Sequence, residues 1–274
     1  MNEFKQNKGL NRNTIDKYYT KATIVELLLN FIREYLSISY NNDIIIEPSA
    51  GNGSFINGIK ELTKNYEFYD IKPEHDEITT LDYLTFNIEN NYSNIHIIGN
   101  PPFGRQSSLA IKFIKKSCIF CNSLSFILPK SFKKDSLKKH FPLNYHLIFE
   151  FDLPEKSFLV DNKDHDVPCV FQIWVRKSYN REIKQKLYPQ HFKFVKKEED
   201  PDISFRRVGV NAGNIDREIK NKSIQSHYFI KFMNNNTVDE NITSLLQIQF
   251  TFNNTVGPKS ISKQELIEKF NVIL

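Results

Sequence analysis

The stretch Ile95-His96-Ile97-Ile98-Gly99-Asn100-Pro101-Pro102-Phe103-Gly104 limits the folds open to this chain more than any other. Its β-branched apolar run reads as a buried strand. Two consecutive prolines can neither continue a ladder nor enter a helix interior, so the chain must leave the sheet there. Asn100 and Phe103 are therefore presented at the carboxyl end of a strand, the edge where open α/β sheets place ligands. Asn100 offers an amide oxygen, and Pro101 a carbonyl without an N–H. Two such acceptors suit a planar amine that donates both hydrogens and turns its lone pair toward an electrophile. Phe103 offers a flat face for a ring. An Asx-Pro-Pro turn that merely closes a strand would carry the same letters, so the rest of the chain must decide.

Other segments repeat the pattern. Residues 43–47 read as a buried strand, residues 48–55 as a turn, and Ile56, Ile59 and Leu62 mark a helix. Gly51 and Gly53 allow a tight turn and a close approach to a ligand. Ile56 stands where a dinucleotide loop needs its third glycine, and the lysine of a Walker loop is missing. With Glu47 just before it, this loop is not built for a pyrophosphate. Residues 66–70 form a second strand ending in Asp70, at the distance where a ribose-binding acid is expected. Asp82 and Tyr83 follow beside apolar residues. Upstream, Tyr19 and Thr20 lead into a helix over 22–36, with Thr20 as its N-cap. Downstream come a helix over 107–121, a strand over 124–128, a short polar helix, and strand-like runs over 145–152 and 167–175 separated by a polar loop. Strands with polar residues at their carboxyl ends, alternating with helices, imply a doubly wound α/β sheet.

Charge is unevenly placed. The net +5 divides into −5 over residues 1–100 and +10 over the remainder. That asymmetry suggests a polyanion partner for the later part of the chain, although a lysine-rich solvated face would look the same. From 177 to 200 the sequence is strongly basic, with Lys177, Arg181, Lys184, Lys186, Lys193, Lys196 and Lys197 interleaved with Tyr179, Tyr188, Phe192 and Phe194. Short β-like runs follow at 205–210, 227–232 and 245–252, with Asn-rich turns at 234–236 and 253–254. After a loop at 257–261, Ser262 and Glu265 make a capping box for a last helix. The expected division is a polar arm over 1–16, a main domain over 17–176 and a small α+β extension over 177–274. No membrane-length apolar run and no signal-peptide pattern is present, which points to the cytoplasm. Cys118 and Cys121 form a lone C-x-x-C and read as buried structural residues; Cys169 reads as core, and no metal site is assigned.

Together these motifs resemble the S-adenosylmethionine-dependent methyltransferases that methylate the exocyclic N6 amine of adenine in DNA. Asn100-Pro101-Pro102-Phe103 matches that family's Asn/Asp-Pro-Pro-aromatic motif, and residues 47–55 resemble its cofactor loop. The likeness covers about residues 16–176. It implies a Rossmann-like methyltransferase sheet with a C-terminal target-recognition extension, and a nucleotide flipped out of the helix. It implies that Tyr19 and Thr20 close over the methionine end of the cofactor, although Lys21 stands where many relatives have proline. Glu47, Pro48, Ser49, Ala50, Gly51 and Gly53 would contact the amino-acid part. Asp70 and Ile71 would meet the ribose, and Asp82 and Tyr83 the adenine. Phe103 and Phe158 would stack on the target base. Arg105, Lys130, Lys193, Lys196, Arg206 and Arg207 would hold phosphates. DNA is the expected partner and RNA the alternative; an accompanying restriction endonuclease is left open. A protein-glutamine methyltransferase and a cofactor-binding subunit without activity remain as further readings.

Overall fold

The computed structural model describes residues 18–88, 92–183, 185–250 and 259–274. The arm over 1–16, Lys17, Lys184, the turn at 253–254 and residues 257–258 lie outside the described residues. The chain divides into two units, Met1–Glu182 and Ile183–Leu274.

In chain order, the first unit contains β1 (Tyr19–Thr20), α1 (Ala22–Tyr35), β2 (Ile44–Glu47), α2 (Ile56–Leu62), β3 (Asn65–Asp70), β4 (Thr79–Thr80) and β5 (Ile95–Gly99). It continues with α3 (Ser108–Ser117), β6 (Ser123–Pro129), α4 (Asp135–Lys138), β7 (Tyr145–Asp152), β8 (Phe158–Val160), β9 (Lys163–His165) and β10 (Cys169–Arg176). Seven strands form one sheet in the order β4-β3-β2-β5-β6-β10-β7. The first five run parallel, and β10 is antiparallel to both β6 and β7. The fold is a doubly wound, Rossmann-like α/β sheet. Its central strands β2, β5 and β6 are buried along their whole length because both faces are covered, and their polar side chains are Glu47, His96, Ser123 and Ser125. Ile45 packs with Leu28 of α1 and Ile59 of α2, whereas Ile44 and Ile46 pack with Ala110 and Ile114 of α3. Each large side chain so buried contributes roughly 1.5–3 kcal/mol. After β2 the chain moves outward to β3, and β5 returns to the other side of β2. The strand order thus reverses between β2 and β5, and the loops at their carboxyl ends diverge to leave a crevice.

Three expectations need correction. Residues 153–166 are not simply a polar loop: β8 and β9 form a hairpin there, and β8 pairs antiparallel with β1, Thr20 opposite Phe158. Strands of two or three residues are too short to show a hydrophobic period; the turn itself uses Asp161 and Asn162 at φ +49° and +60°. Thr20 is not a helix cap, because Lys21 holds the N-cap position of α1 without a capping side chain, and Thr20 belongs to β1. The helix expected over 107–121 ends at Ser117, so Cys118 and Cys121 lie beyond it, buried near the Tyr145 hydroxyl.

The second unit contains β11 (Phe192–Val195), β12 (Ile203–Arg206), β13 (Ile215–Asp216), β14 (His227–Phe232), α5 (Val238–Leu245) and α6 (Lys263–Ile273). Its antiparallel sheet has the order β11-β14-β12-β13. Leu266, Ile267 and Phe270 of α6 cluster with Phe192, Ile203 and Phe205 of the sheet. The capping box of Ser262 and Glu265 is formed, and Thr237 with Glu240 forms a second one at the start of α5. The β-like run at 245–252 is not a strand over its described part: Leu245 ends α5, and 246–250 is irregular.

The division falls after Glu182, six residues later than the composition shift at Arg176. Arg181 explains the difference. Its guanidinium donates to the carbonyls of Lys138, Phe141, Pro142 and Tyr145 at 2.6–3.1 Å and lies 5.3 Å from the Trp174 ring centroid. The start of the basic stretch therefore closes the first unit. The charge follows: of the +10 beyond residue 100, residues 101–182 hold +6 (14 Lys+Arg, 8 Asp+Glu) and 183–274 hold +4 (14 against 10).

Candidate active site

β2 and β5 deliver Glu47 and Asn100 side by side to the carboxyl edge of the sheet. Gly99 makes this approach feasible: a Cβ there would stand 3.2 Å from Glu47 Cγ, and its φ of +152° disfavours a side chain. Glu47 is 2% exposed, and its Oε2 is buried without a hydrogen-bond partner. Burial, with Asp70 adding like charge, pushes this carboxyl well above the usual carboxylate range.

Asn100 is held by its nitrogen. Its Nδ2 donates to the Tyr18 carbonyl (3.2 Å) and lies 3.5 Å from the Thr20 hydroxyl, while Ser49 Oγ donates to its main-chain carbonyl (3.2 Å). With the amide nitrogen committed to the β1 segment, Oδ1 must face the other way. That oxygen is buried and has no partner. An orphaned acceptor of this kind costs about 1–3 kcal/mol until a donor arrives. Glu47 and Asn100 both line one cavity of about 330 Å³.

The loop after β2 is held by the carboxylate that ends β3. Asp70 Oδ2 accepts from Gly51 N–H (2.9 Å) and Oδ1 from Lys72 N–H (2.8 Å). Gly51 and Gly53, at φ +55° and +81°, make the turn. The Tyr19 hydroxyl donates to Glu74 Oε2 (2.6 Å) across the same loop. At the far side, exposed Asp82 accepts from Leu84 N–H (3.0 Å), and Tyr83 is buried with its hydroxyl against Ser117 Oγ (2.8 Å). After the diproline, the Phe103 carbonyl accepts from Leu109 and Ala110 N–H at the start of α3 (3.1 and 3.4 Å). Positive φ at Gly104, Gln106 and Ser107 concentrates backbone strain next to the motif.

The structure thus gathers most of the sequence candidates around one cavity: Tyr19, Thr20, residues 47–51, Asp70, Ile71, Asp82, Tyr83 and residues 100–103 all line it. Gly53 shapes the turn without lining the cavity. Phe158 does not line it either; its ring is 1% exposed and packs edge to face under Tyr18, at 6.4 Å between centroids. As placed, it supports the β1 segment and offers no face to a base. Tyr18, Leu109 and Phe113 line the cavity and were missed. The spacing of Leu109 and Phe113, one helical turn apart on α3, was the available signal.

Among the expected phosphate contacts, Arg105 is exposed just after the motif. Lys130 is paired with Asp152 (3.1 Å). Arg206 is spent on the Val208 carbonyl (2.8 Å) and Ser226 Oγ (3.3 Å), so it supports its own loop. Lys193 and Lys196 are exposed, and Arg207 is half-buried. Among the described residues no cluster of His, Cys, Asp or Glu is arranged to hold a metal ion, and no helix is long and apolar enough to cross a membrane.

No family model and no curated protein matches the chain. Among solved structures it is similar to a candidate RNA methyltransferase from Pyrococcus horikoshii: 16% identity, TM-score 0.48, covering 62% of this chain and 92% of the other. It is also similar to the 23S rRNA methyltransferase ErmE, at 11% identity and TM-score 0.43, covering 60% and 71%. An rRNA methylase from Streptococcus thermophilus matches at 12% identity and TM-score 0.39, covering 56% and 95%. At such identities and scores, the activity has to be argued from the cavity and the side chains that line it.

Proposed function

We propose that the protein is an S-adenosylmethionine-dependent methyltransferase that modifies the exocyclic N6 amine of adenine in DNA. The observation that carries this is Asn100 Oδ1: an oriented, buried acceptor without a donor, in a cavity shared with an equally unpartnered Glu47.

The residues fit the cofactor. Glu47 supplies a buried oxygen for its ammonium, and the Gly51 turn gives its amino-acid part backbone access. Asp70 keeps lone pairs for the ribose hydroxyls beyond the two N–H groups that it accepts. Asp82 and Tyr83 suit the adenine end. When bound, the cofactor supplies a methyl group on a sulfonium leaving group.

The chain's own task is then orientation. Asn100 Oδ1 and the Pro101 carbonyl accept the two hydrogens of the amine and turn its lone pair toward the methyl. Phe103 stacks on the ring, which is worth about 1–3 kcal/mol. Holding two reactants in line can supply roughly 7–11 kcal/mol of the barrier. In a duplex the amine lies inside the stack, so the nucleotide must be extruded into the cavity.

The test is transfer from labelled S-adenosylmethionine to mixed-sequence DNA and, separately, RNA, with digestion to nucleosides. N6-methyladenine from DNA is expected. Label in RNA alone moves the substrate to RNA. Label in cytosine, or in protein only, rejects the adenine reading.

A further inference from the structure

The second unit has a cleft of its own, of about 470 Å³, between β11, the turn after it, β14 and the start of α6. Phe194 and Tyr228 line it, edge to face with centroids 5.5 Å apart. The Lys263 ammonium lies 4.5 Å from the Phe194 centroid and 5.8 Å from that of Tyr228. The Arg207 guanidinium lies 5.4 Å from the Tyr228 centroid, and its Nε and Nη2 both donate to the Gln225 carbonyl (3.2 and 2.8 Å). Lys196 lines the same cleft; its backbone N–H donates to Glu199 (2.8 Å). Among the described residues none of these three cations is in an ion pair, whereas Lys222 and Lys231 in the same unit are paired with Asp216, Glu218 and Asp200. Lys197 is spent on the carbonyls of Lys220 and Lys222, and among the described residues Glu198 is the one carboxylate in the lining.

Aromatic faces hold a cation in place without neutralising it. Arg207 and Lys263 are held this way and Lys196 lines the same concavity; three cations against the single carboxylate of the described lining focus a positive potential that an anion relieves. A lone phosphate would use the cations and leave the rings idle. A strand of nucleic acid uses both, with phosphates on the cations and a base edge or sugar against the rings.

We propose that this cleft binds the phosphodiester backbone of the DNA substrate through Lys196, Arg207 and Lys263. The inference rests on the nucleic-acid reading of the first unit's cavity. It also sorts the basic residues of the second unit: Arg207 and Lys196 bind, and Arg206 supports.

The experiment uses the full chain and fluorescence anisotropy of a labelled mixed-sequence duplex across a salt series. The double variant K196Q/K263Q should bind roughly ten- to thirtyfold more weakly near ~0.1 M salt, with the slope of log K against log salt reduced by about 2. The paired lysines provide the control, and K222Q/K231Q should leave the slope unchanged. Circular dichroism melting shows whether the double variant is folded; if it is not, K196Q alone should reduce the slope by about 1. An unchanged slope in a folded variant overturns the proposal. So does adenosine monophosphate binding that is lost in the variant while duplex binding persists, since the cleft would then serve a free nucleotide. RNA bound with the same loss in the variant, and DNA not bound at all, would assign the cleft to RNA and overturn the DNA proposal. A wild type that binds no nucleic acid fails the broader reading, whereas one that methylates DNA with an unaffected variant fails only the cleft.

Discussion

The cavity at the ends of β2 and β5 holds two buried acceptors without donors, Glu47 Oε2 and Asn100 Oδ1, whereas the cleft beside β14 is lined by Lys196, Arg207 and Lys263, none of them in an ion pair among the described residues. The first is buried, so each unpartnered oxygen raises the free energy of the empty site and selects a ligand bearing N–H groups. The second is open, so its cations stay solvated and select by charge, weakly and over a distance. One site therefore suits the precise gripping of an ammonium and an amine, and the other the sequence-tolerant holding of a polyanion. The contrast explains why single substitutions should be severe in the cavity and graded in the cleft.

The largest expected effect is at Asn100. Asn100→Ala removes the oriented acceptor and should lower methyl transfer by about 10²–10³-fold or more, with cofactor affinity by calorimetry nearly unchanged. Equal loss of both would give Asn100 a binding role and break the contrast. Glu47→Gln should weaken cofactor binding by roughly ten- to a hundredfold, the worth of a charge-assisted hydrogen bond.

Glu47 also gives a pH signature. Its folded-state pKa lies above the unfolded value, so the native state binds the extra proton. That stability is present below the ordinary carboxylate range and is lost as pH rises toward the folded pKa. The melting temperature of the ligand-free protein should fall through that window, and Glu47→Gln should flatten the fall. Cofactor binding should strengthen over the same window, because an ammonium prefers the ionised carboxylate. A melting profile identical in wild type and variant would remove Glu47 from the account.

Arg181→Met tests the basic stretch. Four carbonyls lose their donor, so stability should fall by about 2–3 kcal/mol in urea, with the salt dependence of DNA binding unchanged. A changed salt slope would add Arg181 to the phosphate contacts. The smallest effect is at Thr20→Val, which loosens one long hydrogen bond to the Asn100 amide. It should lower kcat about two- to tenfold and leave KM for the cofactor in place. Rescue by Thr20→Ser would tie the loss to the hydroxyl.

The cavity was legible in the sequence because local rules suffice there. Apolar runs predict β2, β3 and β5, and glycines and prolines mark where each chain segment leaves its strand. Ligands gather at the carboxyl ends of such strands. The second unit was legible as a basic α+β extension with β14 and the capped α6 in place, whereas its other short strands and irregular 246–250 carry no period.

Sequence alone determined the succession of β2, α2, β3, β5, α3 and β6 along the chain, the acceptor chemistry of Glu47 and Asn100, and the cap of α6, because each depends on neighbours a few residues away. Only the tertiary structure decided that Tyr18 and Thr20 face Asn100 from some eighty residues away, that β8 pairs with β1, and that Phe158 is enclosed. It also decided how each arginine is committed: Arg181 to four carbonyls, Arg206 to the Val208 carbonyl and Ser226 Oγ, and Arg207 to the Gln225 carbonyl and the Tyr228 ring. The physical reason is that a side chain's role depends on which partners the folded chain brings within about 3 Å, and carbonyls, carboxylates and rings distant in sequence compete for the same cation.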